Sequence, residues 1–425
     1  MFVRNVVCFL LVALAVGSAT PNIFSVVKEI NDLADFESRV SNNIDEDADL
    51  DVPELITKYK YPLEIHEVTT DDGYILQLHR IPHGRDRHTA PRPDRPLALV
   101  VHGLTLSSSV FIDTGPGNGL GYILAENGFD VWLANTRGNM YSRRHRRLNP
   151  DSLLSNDYWD FSWEEVGTFD LPATIDYILK TTKRSRLHYI GYSQGTTAFF
   201  VMGAMRPEYN DKIISSHHLA PTVIMEHADN LLLKALAPLT GSVSTITSLL
   251  GIGEFIPNTE ILRMAGQAAC NDDAFTQPLC SNIFFLIGGW NADQLNTTTL
   301  PIIVSHTPAG ASVKQVLHYG QEIGKPNFRR YDHGFITNLL KYGSRTPPNY
   351  DLRKVTSRVY LYYGANDPLV SVTDVFALND QLPNVGGMFR VPMDEFTHID
   401  FAFAIDAPTL VYEPMINRIL EEDAV

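Results

Sequence analysis

The sequence predicts an α/β fold in which a mostly helical cap is inserted into a mainly parallel central sheet. Three observations carry that expectation. From Pro96 onward, continuous apolar runs of strand length alternate with segments whose apolar residues recur at helical spacing. At residues 187–200, LHYIGYSQGTTAFF, an apolar strand passes through a glycine-flanked serine straight into a buried helix. Across residues 224–350 the strand rhythm stops, and it resumes at SRVYLYYGANDPLV.

Taken in order, residues 1–19 read as a signal peptide. Arg4 supplies the positive start, residues 6–16 form a short apolar run, and Gly17-Ser18-Ala19 offers a cleavage site after Ala19. The apolar run is too short for a comfortable membrane span, so no transmembrane anchor is expected. The expected destination is the secretory pathway, with secretion preferred over the lysosome. Removing the signal takes Cys8 with it and leaves Cys270 and Cys280, an even pair in an oxidising compartment, for which one disulfide is expected. Asn296-Thr297-Thr298 is a glycosylation sequon that the same compartment would use.

Residues 20–51 end in the run DEDADLD, whose like charges repel, so this stretch is expected to be a flexible leader or propeptide. The folded body then begins near Val52. YPLEIHEVTTDDGYILQLHRIP contains two β-rich runs around an Asp-Gly turn, which predicts an antiparallel hairpin. Residues 83–96 form a surface loop, and the basic cluster at 143–147 reads as another. PLALVVHGL, GFDVWLANTRG, LHYI and IISSHHLAPTV are expected strands, with FDLPATIDYILKTT a helix. These make residues 52–223 the first part of the core. The cap, 224–350, carries apolar stretches read as helical (LLLKALAPLTGSV, TSLLGIGEFI, NIFFLIGGW), and residues 351–425 return to the sheet. A net charge of −15 excludes nucleic acid, whose phosphates would be repelled.

The chemistry centres on Ser193. A serine hydroxyl is a weak nucleophile near neutral pH and needs a histidine to take its proton, with a carboxylate to orient that histidine. Asp367 and His398 follow in the order Ser, Asp, His, each just beyond an expected strand. Asp374, Asp394 and Asp400 compete for the acid, and His333 for the base. Developing negative charge on the substrate needs backbone donors, for which Gln194, after the nucleophile, and Leu104, after the strand ending in His102-Gly103, are the choices. This chemistry requires no cofactor and no metal.

With these residues in place, the chain resembles the acid lipase family that includes gastric and lysosomal acid lipases, members of the α/β-hydrolases. The resemblance runs from about Val52 to near the C-terminus through the hairpin, HGL, NGFDVWLANTRGNMYSRRH, FSWEEVGTFDLPATIDYI, GYSQG, YDHG, YGANDPLV and FTHIDF. It implies Ser193 as nucleophile, Asp367 as acid, His398 as base, donors at Leu104 and Gln194, and pairing of Cys270 with Cys280 in a cap with a movable lid. Two departures bear on substrate preference: Tyr192 stands where the family commonly has histidine, and Phe111 where tryptophan is frequent. The function expected is hydrolysis of neutral lipid esters, most of all triacylglycerols, at a lipid–water interface. An esterase for sterol, retinyl or small soluble esters, and a non-catalytic lipid carrier, are the alternatives.

Overall fold

In a computed structural model, the residues described are 45–85, 89–90, 95–152, 155–230, 234, 253–256 and 288–423. The signal peptide, Cys270 and Cys280 lie outside them.

The acidic stretch, expected from its like charges to stay flexible up to Asp51, is structured from residue 45. It forms α1 (Asp45–Ala48) and leads into α2 (Val52–Lys58). The repulsion is relieved locally. Asp47 accepts from Lys58 Nζ at 2.6 Å and from the Tyr59 hydroxyl, while Asp51 caps α2 in a reciprocal capping box with Glu54. The Leu50 carbonyl also accepts from His306 Nε2 at 2.9 Å, tying this stretch to a helix 256 residues later.

The hairpin forms as read: β1 (Glu64–Thr69) pairs antiparallel with β2 (Tyr74–Ile81), and Gly73 takes a φ of 106° at the turn. β3 (Leu97–Val101), α3 (Leu120–Glu126) and β4 (Asp130–Ala134) follow, both strands buried on both faces. The basic cluster departs from the loop expectation. Arg144–His145 is a short strand, β5, on the edge of β2, and Arg143 bonds Glu254 and Asp151.

α4 (Leu171–Thr182), β6 (Leu187–Tyr192), α5 (Gln194–Met205) and β7 (Ile213–Leu219) continue the alternation. α5 is apolar on every side and buried along nearly its whole length, because it is covered by sheet and neighbouring helices alike. The described part of the inserted segment holds β8 (Glu254–Phe255), α6 (Leu300–His306), β9 (Ala311–Ser312), α7 (Val313–Glu322) and α8 (Phe335–Tyr342). β8 corrects one detail. The end of TSLLGIGEFI is extended, since Glu254 and Phe255 pair antiparallel with Ser312 and Ala311. β10 (Val359–Tyr363), α9 (Val372–Asn379), β11 (Val385–Arg390) and α10 (Glu413–Asp423) complete the chain.

The main sheet runs β1-β2-β4-β3-β6-β7-β10-β11. Pairs from β4 through β11 are parallel, and β1 and β2 are added antiparallel. Chain order reverses at β3, which has β4 on one side and β6 on the other. The carboxyl ends of β3 and β6 therefore flank the crevice where open α/β sheets bind ligands.

Candidate active site

Ser193 stands at the carboxyl end of β6 with φ 51° and ψ −117°, a left-handed conformation that costs a non-glycine residue of order 1–3 kcal/mol. Its surroundings hold that strain in place. The Ser193 N–H donates to the Leu219 carbonyl of β7 at 3.0 Å, and its own carbonyl accepts from Thr196 N–H at 2.8 Å. The flanking glycines are required by space: a Cβ on Gly195 would lie 2.2 Å from the Val101 carbonyl oxygen, and one on Gly191 2.9 Å from the Gly195 backbone.

The three residues expected to act together do meet. His398 Nε2 lies 2.8 Å from Ser193 Oγ, and His398 Nδ1 lies 2.8 Å from Asp367 Oδ2. The other carboxylate oxygen of Asp367 accepts from the N–H groups of Leu369 and Val370 at 2.8 and 2.9 Å. With both oxygens engaged, the carboxylate is fixed in orientation toward the ring. Asp367 follows β10 and His398 follows β11, so parallel strands bring both to the edge where Ser193 stands.

The two residues expected to supply donors both lie close to Ser193 in the chain's fold. Gln194 opens α5, whose first N–H groups have no intrahelical acceptor and favour negative charge. The loop carrying Leu104 passes beside the serine, since a Cβ on Gly103 would sit 3.1 Å from Ser193 Cβ. A hydroxyl, an imidazole, a carboxylate and donors in this arrangement can carry out acyl transfer.

The rejected candidates are occupied elsewhere. Asp374 bonds His227 at 2.7 Å, Asp394 pairs with Arg390, and His333 packs on Tyr331. Asp400 has a supporting place: its carboxylate accepts from Asn291 Nδ2 at 2.8 Å and from the Thr397 N–H at 2.7 Å, bracing the turn that presents His398.

Comparison with known proteins decides the family. Residues 52–115 match the family described as a partial alpha/beta-hydrolase lipase region, and 96–236 match the alpha/beta hydrolase fold. Lipase 3 of Drosophila melanogaster is 40% identical over 376 residues, covering 87% of this chain and 92% of that one. Gastric triacylglycerol lipase of Rattus norvegicus is 35% identical, covering 88% and 93%, and the Homo sapiens enzyme of that name is 35% identical, covering 88% and 92%. The chain belongs to the acid lipase family.

As an acid lipase it is a carboxylic ester hydrolase of the α/β-hydrolase fold. Three residues around the site of this acid lipase carry roles that the sequence did not disclose. His102 is buried, which pushes its pKa down to about 4. Its Nε2 accepts from the Thr136 N–H at 3.1 Å, so the proton sits on Nδ1, which donates to the Gly103 carbonyl at 2.7 Å. A neutral histidine thereby pins the loop that carries Leu104. Tyr192 is buried, and its hydroxyl donates to the His398 carbonyl at 3.0 Å. Its bond is to the backbone of the base. Arg137, fully buried, bonds Asp170 on one side and Asp72 on the other, joining the hairpin turn to the loop after β4 and to the start of α4. Phe111 is buried in a short helical turn at 108–111.

Proposed function

We propose that this acid lipase hydrolyses triacylglycerols through an acyl-enzyme formed on Ser193. The observation that supports it is the unbroken chain from Ser193 Oγ through His398 to Asp367 at the sheet's carboxyl edge. In this reading the Ser193 oxygen attacks the ester carbonyl carbon while its proton passes to His398 Nε2. The carbonyl oxygen takes the electron pair and is met by the N–H groups of Gln194 and Leu104. Collapse of the tetrahedral intermediate breaks the bond to the alkoxy oxygen, which leaves with the proton from His398. Water then adds to the acyl carbon, its proton going to His398, and the fatty acid departs as Ser193 recovers its proton. Asp367 holds the ring and stabilises its cation throughout.

The gastric triacylglycerol lipases among the relatives favour this substrate class. Residues 224–350 would act as the cap over the strand ends, with Cys270 and Cys280 paired inside it, and residues 1–19 would direct secretion. Among the described residues, no helix is long and apolar enough to cross a membrane. Asn296 is exposed, and its side-chain oxygen accepts from the N–H and the hydroxyl of Thr298, an arrangement suited to a used glycosylation site. Ser193→Ala is the decisive variant. It should release no fatty acid from emulsified trioleoylglycerol and take no fluorophosphonate label while melting like the parent. Undiminished turnover by that variant would overturn the assignment.

A further inference from the structure

α8 is amphipathic in the wrong sense for a helix packed on a core. Its apolar residues Phe335, Ile336, Leu339 and Leu340 are 54, 71, 49 and 81% exposed. They fall at i, i+1, i+4 and i+5, so they form one continuous outward stripe. What faces inward is polar. Asn338, fully buried, donates from Nδ2 to Asp332 Oδ1 at 2.7 Å and to the Arg345 carbonyl at 3.0 Å, and its Oδ1 accepts from the His333 N–H at 2.9 Å. The Tyr342 hydroxyl adds a bond to the Tyr331 carbonyl at 2.9 Å. The helix is thus fastened by hydrogen bonds from its inner side, and its apolar face is left for something else.

The charge around it selects the partner. In a chain of net charge −15, residues 325–354 carry seven Lys and Arg against two Asp. Lys341 and Arg345 flank the stripe, both exposed, and Arg345 lies 4.9 Å over the Phe335 ring. Among the described residues neither is paired with a carboxylate. An apolar stripe rimmed by cations is the pattern of a helix lying in the headgroup region of an anionic lipid surface. A second copy of the chain fits less well. A symmetric contact would set Lys341 and Arg345 against their own counterparts, and an eight-residue helix, about 12 Å long, presents far less than the roughly 800 Å² per partner of a stable interface.

We propose that α8 is the element by which this protein docks on a lipid–water interface, its four apolar side chains inserted and Lys341 and Arg345 on anionic headgroups. This rests on the lipid-ester reading above and extends it. Each turnover releases a fatty acid, so the surface grows more anionic as the reaction runs and the attachment strengthens.

The test is co-sedimentation of the full-length protein with phosphatidylcholine vesicles, with and without phosphatidylglycerol, beside hydrolysis of soluble p-nitrophenyl butyrate. The double variant Ile336→Ser, Leu340→Ser should bind both vesicle types about tenfold or more weakly. The variant Lys341→Glu, Arg345→Glu should lose the preference for phosphatidylglycerol and its salt sensitivity. Both should hydrolyse the soluble ester at the parent rate, which also certifies their folding. Unchanged vesicle binding by the apolar variant overturns the proposal. So does a shift in its sedimentation coefficient with vesicle binding intact, which would make the face a self-association surface. If the parent binds vesicles but leaves p-nitrophenyl butyrate untouched, the failure belongs to the hydrolase reading and not to α8.

Discussion

Replacing Tyr192 with phenylalanine removes one oxygen and leaves the ring where it is, 5.5 Å from the His398 imidazole between centroids. The lost hydroxyl donates to the His398 carbonyl at 3.0 Å, in a place where Tyr192 is 3% and His398 4% exposed. Water is not at hand to replace it. An orphaned buried carbonyl costs about 1–3 kcal/mol, so the melting temperature should fall measurably. The larger effect should be on rate. The carbonyl belongs to the residue whose ring spans Ser193 and Asp367 at 2.8 Å on each side, distances with only a few tenths of an ångström to spare before the bonds weaken. Misplacement approaching 1 Å costs about a hundredfold, so kcat on a soluble ester should drop about ten- to a hundredfold with KM unchanged. Stopped-flow fluorophosphonate labelling separates the causes, because it reads the reactivity of Ser193 and not the rest of the fold. Labelling should slow in step with kcat. A variant that melts lower but labels and turns over within twofold of the parent would refute the reasoning and leave Tyr192 a purely structural residue.

Three further outcomes follow from the same structure. Asp367→Asn keeps the shape but offers an amide where His398 needs a carboxylate, so kcat should fall by about four orders of magnitude with the fold retained, as judged by circular dichroism. Arg137→Leu would strand Asp170, which is fully buried with Arg137 as its cation, and should lower stability by about 3–5 kcal/mol in urea unfolding. Glu322 provides a pH test. Burial pushes its pKa from 4.5 up to about 8, despite Arg329 nearby, so the folded chain holds this proton to higher pH than the unfolded one. The stability it contributes is full below about pH 4.5 and is lost as pH climbs through about 8, up to about 5 kcal/mol in all. Glu322→Gln should therefore match the parent near pH 5 and exceed it near pH 8 in thermal unfolding. Comparing the pair cancels the buried histidines His102 and His218, whose depressed pKa values act oppositely, their stability being lost as pH falls below 6.5.

The elements that were legible in the sequence are those whose signal is local. The nucleophile's turn could be read because strand, glycines and helix are contiguous, and the hairpin because Asp-Gly turns announce themselves. Misreadings fell where a distant partner reverses a local rule. Like charges at 45–51 repel until Lys58, Tyr59 and the end of α2 neutralise them. Residues 144–145 read as loop until β2 offers an open edge for them to pair with. In α8 it is the fold that turns Asn338 inward and leaves Phe335, Ile336, Leu339 and Leu340 exposed.

The sequence by itself determined the class of fold, the order Ser193, Asp367, His398 and the residue types that such chemistry needs. Tertiary structure alone decided that the three touch. Ser193 and His398 are 205 residues apart, and their meeting depends on β7 and β10 being laid between β6 and β11 in a parallel sheet. That strand order is a property of long-range pairing, which no local periodicity encodes. The same holds for Tyr192. Beside the serine in sequence, it belongs to the histidine in space.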